Sequence, residues 1–181
     1  ISEIDKGIYD AFNKGLDCVN GDFVQIVNSD DILEKNKIKH CVEYMQKHHS
    51  ADVLIGDLLM FDSNEKVYEK LIGAPPNYWN NFYMGTLNHP TFFVRSKIYR
   101  MIKFRRLKIS GDFDWVLRAI HNKYRFEKID NNIVYMRDNG ISTVSLIEVI
   151  NENLIVSLNN GSNKFLTIIF YLFMILKRTS F

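Results

Sequence analysis

A mixed α/β fold, with a sheet flanked by helices, is what this sequence predicts, on three observations. DKGIYDAFNKGLDCV carries Ile8, Phe12, Leu16 and Val19 at spacings of four, four and three, the stripe of an amphipathic helix. FVQIV, residues 23–27, follows as a nearly continuous apolar run, which suits a strand covered on both faces. Beyond it, helical and strand periodicities keep alternating, the pattern of packed α and β layers. At 181 residues and 46% hydrophobic, the chain is large enough for one ordinary core.

Each element can be justified in order. Asp5 is placed to start the first helix and Gly21 to end it. ILEKNKIKHCVEYMQKHH sets Leu33, Ile38, Cys41, Val42 and Met45 on one side, so a second helix is expected from Ile32 onward, with His48 and His49 suited to its C-terminal dipole. A strand from Asp52 to Phe61 should follow, then a turn at Asp62, Ser63 and Asn64 and a returning edge strand to Leu71. Pro75 and Pro76 open an aromatic segment, NYWNNFYMG, after which HPTFFVRS reads as a strand and SKIYRMI as a short helix. GDFDWVLRAIHNKY carries Trp115, Val116, Ala119 and Ile120 at helical spacing, and RFEKI and NIVYMR read as two strands. Ser142 is placed to cap a helix running to about Leu158, and Phe165 to Leu176 forms a last apolar segment. Residues 1–145 are expected to form the main domain portion and 146–181 a helical extension.

Charge narrows the function. The 23 Lys and Arg against 21 Asp and Glu leave a net charge of +2, without the basic excess of a protein held mainly by nucleic-acid phosphates, so no nucleic-acid partner is expected. Cys18 and Cys41 sit in helical patterns with no CxxC spacing and read as reduced core thiols, consistent with a cytoplasmic location. The sequence begins at Ile1, already entering an element, which suggests an N-terminal truncation.

The chemistry concentrates in FVQIVNSDDIL, where Asp30 and Asp31 follow a strand. Strand ends in α/β sheets point into a crevice where ligands bind. Adjacent carboxylates repel unless a cation compensates them, and hard oxygen ligands suit Mg²⁺ or Mn²⁺. The alternative is that SDD caps the helix expected after it.

Together, SEIDKGIYDAFNKGL, GDFVQIVNSDD and SGDFDWVLRAI resemble the family 2 glycosyltransferases of the GT-A fold, a Rossmann-like architecture, in particular members of bacterial polysaccharide biosynthesis. The resemblance covers about residues 1–145 and implies that the chain begins within the nucleotide-binding half. It implies that Asp30 and Asp31 hold a divalent cation, Mn²⁺ or Mg²⁺, against the diphosphate of a nucleotide-sugar donor. Asn28 stands where many members have Asp, and Ser29 lies beside it. Asp5, Gly7, Asp10 and Asn13, in the first matched block with Lys6, are implied to face the nucleotide. Asp112 falls at the family's base position, with Gly111 in place of a preceding acid; capping of its helix is the alternative. Asp114 reads as a cap or as a partner of Arg118 four residues on, at the edge of the acceptor region.

For the acceptor, a glycan or a lipid-linked glycan, the candidates are His89, Asp114 and the aromatic residues Tyr78, Trp79, Phe82 and Tyr83. Sugars stack on such rings, and core filling is the alternative. FLTIIFYLFMIL has twelve residues against the roughly 20 needed to span a bilayer. With Lys164 before it and Lys177 and Arg178 after it, the run suits peripheral contact with the inner face of the cell membrane, or burial against the domain. Two other classes compete: a non-catalytic binding or scaffold protein, and a metal-dependent nucleotidyl or phosphoryl transferase. The second is disfavoured because no GxxxxGK[ST] loop occurs.

Overall fold

A computed structural model describes residues 3–137 and 146–179; the expected cap Ser142 lies outside the described residues. Among the described residues six strands, β1 (Phe23–Gln25), β2 (Ile32–Leu33), β3 (Val53–Phe61), β4 (Val67–Leu71), β5 (Phe93–Arg95) and β6 (Phe126–Arg137), form one sheet. Its order is β1-β5-β3-β6-β2, with β4 paired to β3. β3 and β6 are parallel and the other pairs antiparallel, so the sheet is mixed. The helices among the described residues are α1 (Ile8–Asp17), α2 (Lys37–Lys47), α3 (Ser96–Met101), α4 (Gly111–His121), α5 (Leu146–Asn159) and α6 (Lys164–Thr179).

Strand periodicity decides which layer each side chain joins. Val53 and Ile55 of β3 pack with Tyr9 and Leu16 of α1, Ile98 and Tyr99 of α3, and Trp115 and Val116 of α4. Leu54, between them, joins Cys41 and Met45 of α2 with Phe93 and Ile129. Because both faces are covered, β3 is buried continuously from Val53 to Leu58. Trp115, with no exposed surface, satisfies its indole N–H on the Ile102 carbonyl at 2.9 Å.

Several boundaries differ from expectation, each for a local reason. α1 starts at Ile8, because Gly7 before it holds φ 110, and Asp5 pairs with Lys14 at 2.9 Å instead of capping. α2 starts at Lys37, since Asn36 takes a left-handed φ of 68; Ile32 and Leu33 pair instead with Tyr135 and Val134. Asp30 and Asp31 therefore lead into a strand and do not cap α2. β1 stops at Gln25 and lies at the edge of the described sheet, with Phe23 and Gln25 half-buried and Val27 exposed. His89–Thr91 form a 3₁₀ turn, so the next strand begins at Phe93. RFEKI and NIVYMR are one strand, irregular between the pairs Ile55 with Lys128 and Asp57 with Ile133. Cys41 is buried as expected, but Cys18, at the end of α1, is exposed.

The C-terminal helices pack on this body. Val156 of α5 joins Phe113 and Leu117 of α4. Phe170 of α6 stacks on Phe82 and Tyr83, with ring centroids 5.3 and 5.5 Å apart, and the Tyr171 hydroxyl donates to the Phe82 carbonyl.

Candidate active site

β1, β3 and β6 run in the same direction, so their C-terminal ends share one edge of the sheet, and a cleft of about 780 Å³ opens there. Asn28, Ser29, Asp30 and Asp31 enter it directly after β1, and Arg137 ends β6 beside them. Residues 84–90 without Thr86 form another wall, and Tyr9, Phe12, Lys108, Ile109 and Asp112 belong to the remaining lining. The fold thus gathers Asn28, Ser29, Asp30, Asp31, His89 and Asp112 around one space. Asp5, Gly7, Asp10, Asn13, Trp79 and Asp114 are not in its lining.

Asn28 and Asp31 close a small turn. The Asp31 backbone N–H donates to the Asn28 carbonyl at 3.2 Å, and the Asn28 amide donates to Asp31 Oδ2 at 2.9 Å. Burial pushes the Asp31 carboxyl above its ordinary range; the Asn28 hydrogen bond opposes this and the adjacent Asp30 charge adds to it. A cation held by the two carboxylates would favour their ionised forms and so oppose both raising effects. Among the described residues no group of three or more His, Cys, Asp or Glu could hold a metal, so no closed protein cage exists. Two carboxylates open to a cleft do fit Mg²⁺ or Mn²⁺, which take one or two carboxylates and complete their shell with substrate phosphates and water.

Asp112 sits in the first turn of α4. Its Oδ1 accepts from the Phe113 N–H at 2.8 Å and from the Tyr9 hydroxyl at 3.3 Å, while the Tyr9 hydroxyl also donates to the Ile109 carbonyl. Burial, and then the Asp112 charge, raise the Tyr9 phenol far above its usual range, so it stays a donor. Gly111 is glycine for a steric reason: a Cβ there would lie 2.6 Å from the Tyr9 ring. The departure from the family pattern at Gly111 thus accompanies the aromatic ring that positions Asp112.

Much of the first matched block holds this arrangement together. Asn13 exchanges two hydrogen bonds with the backbone of Phe104, at 2.8 and 2.9 Å. Asp10, buried, accepts from the Lys6 N–H and pairs with Lys14 and Arg106, and the Lys6 bond is the chief cause of its lowered pKa. Asp17 pairs with Lys103 at 2.6 Å. α1 is thereby clamped to residues 103–109, the loop that leads into α4. From the far side, Glu152 of α5 accepts from the N–H groups of Lys108, Ile109 and Ser110 at 2.9, 2.7 and 2.6 Å. Burial opposes the Glu152 carboxylate, yet these donors hold it below the ordinary range. Asp114 is buried beneath the site, bonded to Arg118 at 2.8 Å, Arg105 at 3.0 Å and Asn160 at 3.0 Å.

His89 packs its ring against Phe92 and Phe104, at centroid distances of 5.3 and 5.9 Å. Burial lowers its pKa, partly offset by Asp112, so the imidazole is neutral at pH 7, and its buried Nε2 has no hydrogen-bond partner among the described residues. Tyr78 and Trp79 are exposed and contact Phe82 away from the cleft.

Sequence reasoning missed Tyr9, Lys37, Lys108, Arg137 and Glu152. Lys37 is fully buried on α2; its ammonium donates to Gln25 Oε1 and, at 3.4 Å, to the Thr91 carbonyl. Gln25 in turn donates to the Ile26 and Pro90 carbonyls at 2.9 and 2.8 Å, tying the strand before NSDD to the His89 turn. Burial pulls the Lys37 pKa down to about 8 from the ordinary 10.5. Between those values the unfolded chain holds the proton and the folded chain does not, so this residue makes stability rise with pH, by on the order of 3 kcal/mol across the window. Chemical denaturation from pH 8 to 10.5 should show that component in the difference between wild type and Lys37→Met, and parallel curves would contradict it.

This fold, with a cleft at the carboxyl edge of its mixed sheet, defines an α/β class, and comparison with known proteins gives the family: residues 2–129 match the glycosyl transferase family 2 model, and the chain belongs to that family. It is 27% identical over 143 residues to an uncharacterized glycosyltransferase of Methanocaldococcus jannaschii, covering 73% of this chain and 49% of that one. It is 24% identical over 123 residues to a PGL/p-HBAD biosynthesis glycosyltransferase of Mycobacterium bovis, covering 66% and 46%. The chain thus spans about half the length of these curated relatives. The crystal structure of S. aureus TarS 1-349 in complex with UDP-GlcNAc is similar in fold, with a TM-score of 0.61 at 19% identity, covering 92% of this chain and 51% of that one. The fold is accordingly that of a GT-A glycosyltransferase.

Proposed function

We propose that this chain carries the catalytic half of a metal-dependent, inverting glycosyltransferase, which moves a sugar from a nucleotide-sugar donor to a hydroxyl of a glycan or lipid-linked acceptor. The observation that carries the reading is the convergence of the Asp30–Asp31 pair and Asp112 on one cleft at the carboxyl edge of the sheet. Asp30 and Asp31 would hold the cation with the donor diphosphate. When bound, the cation supplies charge neutralisation for the departing nucleotide. Arg137, whose guanidinium lies over the Phe61 ring, brings further positive charge to the same lining, whereas the Lys108 ammonium is paired with Glu148 at 2.6 Å.

Asp112 Oδ1 is occupied by its two donors, while Oδ2 has no hydrogen-bond partner among the described residues and is available to accept the acceptor proton. As that proton moves to Asp112, the acceptor oxygen bonds to the anomeric carbon from the face opposite the nucleotide. The bond from that carbon to the diphosphate oxygen breaks, and its electron pair leaves with the nucleoside diphosphate. Neutral His89 belongs to the same lining through its ring, with Nε2 buried and without a hydrogen-bond partner among the described residues. Cell-surface polysaccharide biosynthesis, with peripheral contact at the inner membrane face, is the setting this reading favours.

Calorimetry with UDP and GDP tests the donor half. Binding should require Mn²⁺ or Mg²⁺, vanish with a chelator, and fall by about 100-fold or more in Asp31→Ala. Equal affinity with and without metal would refute the cation role.

A further inference from the structure

α6 is apolar on every side, and the domain covers one stripe of it. Thr167 and Tyr171 are buried against the body, whereas Phe165, Ile169, Leu172, Phe173 and Leu176 remain 71%, 47%, 54%, 60% and 64% exposed. No Asp, Glu, Lys or Arg interrupts the twelve residues from Phe165 to Leu176. A helix serving only as core would turn a polar face to water. Beside it, the 3₁₀ turn Tyr78–Asn81 holds Tyr78 and Trp79 at 58% and 56% exposure. The two elements are joined by the Phe170 stacking on Phe82 and Tyr83, the Tyr171 hydroxyl on the Phe82 carbonyl, and Ser162 Oγ on the Asn81 carbonyl at 2.9 Å.

We infer that the outward face of α6 and the Tyr78–Trp79 turn together form a docking surface for an anionic phospholipid bilayer. Three features select a bilayer over a protein partner. Lys164 precedes the apolar run and Lys177 and Arg178 follow it in sequence, so basic residues bracket it at both ends, as anionic headgroups favour. Tyr and Trp, apolar rings with polar tips, are the residues enriched at the headgroup boundary. Twelve residues make a rod of about 18 Å, too short to span yet suited to lie in the boundary, and no helix among the described residues is long and apolar enough to cross a membrane.

The surface is also coupled to the cleft. Asn80, in the same aromatic turn, donates to the Met84 carbonyl at 2.8 Å, and Met84 and Gly85 line the cleft. Docking would therefore set one cleft wall close to the bilayer, where an acceptor with an apolar tail is presented. This last step rests on the glycosyltransferase reading above; the docking itself does not.

The test is flotation of the intact protein with phosphatidylcholine vesicles containing about one third phosphatidylglycerol, scored without nucleotide. The protein should float, and bromine-labelled lipid should quench the exposed Trp79, while Trp115, fully buried, is spared. Ile169→Glu and Phe173→Glu, both at exposed positions, should each weaken flotation by about tenfold or more while leaving thermal unfolding and metal-dependent UDP binding unchanged. High salt should weaken flotation only in part, because apolar burial persists. A protein that does not float, whether monomeric or a dimer that Phe173→Glu dissociates, overturns the inference, as does flotation indifferent to both substitutions. Flotation without any nucleotide binding would refute the enzyme reading and leave the docking surface intact.

Discussion

Asp112→Asn should lower turnover by about 100-fold or more in the intact enzyme while leaving donor binding nearly unchanged. The amide is nearly isosteric, and its oxygen can still accept from the Phe113 N–H and the Tyr9 hydroxyl, so the α4 terminus keeps its geometry. What is lost is the second carboxylate oxygen as a proton acceptor. Asp114→Asn supplies the contrast. Asp114 serves Arg118, Arg105 and Asn160 under the site, so its substitution should cost about 1 to 3 kcal/mol of stability with turnover falling far less. Paired kinetic and thermal-unfolding measurements separate the two roles, and a reversed ranking would show that the base is misassigned.

The second large effect is structural. Gly56 lies in β3 where β6 departs from regular pairing, and a Cβ there would sit 1.5 Å from the Asn132 carbonyl oxygen. That neighbour is backbone, so no rotamer change relieves the clash. Gly73 closes the same point from another segment, since its own Cβ would lie 2.1 Å from the Gly56 carbonyl oxygen. Asn88 then donates to that carbonyl at 3.1 Å and the Gly56 N–H donates to Thr91 Oγ1 at 2.9 Å, so the distortion would run into the wall that carries His89. Gly56→Ala should cost about 3 kcal/mol or more, read by denaturant titration. A variant as stable as wild type would show that β6 can shift to accommodate a methyl group.

What the sequence made legible depends on the range of the interactions involved. α1, α3, α4 and β3 were readable as elements from their apolar spacing, and Trp115, Val116 and Ala119 are all buried as that spacing implies; in α1 the spacing placed the helix but not its buried face, since Tyr9 and Leu16 are buried while Ile8 is exposed. The start of α2 was not readable, because SDDILEKNK satisfies every local rule for a helix start. The pairing of Ile32 and Leu33 with β6, about a hundred residues away, competes successfully with those rules. Lys37 carries no local signal for burial and is nonetheless fully buried with its ammonium on Gln25 Oε1, which only the tertiary position of Gln25 explains. Glu152 looked like an ordinary residue of a helical tail, and no local signal links it to Ile109 and Ser110. The aspartates of the cleft were legible as a composite, since motifs at residues 28–31 and 110–114 converge through the fold.

The most direct test of glycosyl transfer is product analysis with the intact protein, Mn²⁺ or Mg²⁺, and a panel of UDP-, GDP- and dTDP-sugars. The reading predicts release of a nucleoside diphosphate that stops on chelation and falls by about 100-fold or more in Asp112→Asn. Release of inorganic phosphate or pyrophosphate in its place, or no turnover across the panel, would contradict it.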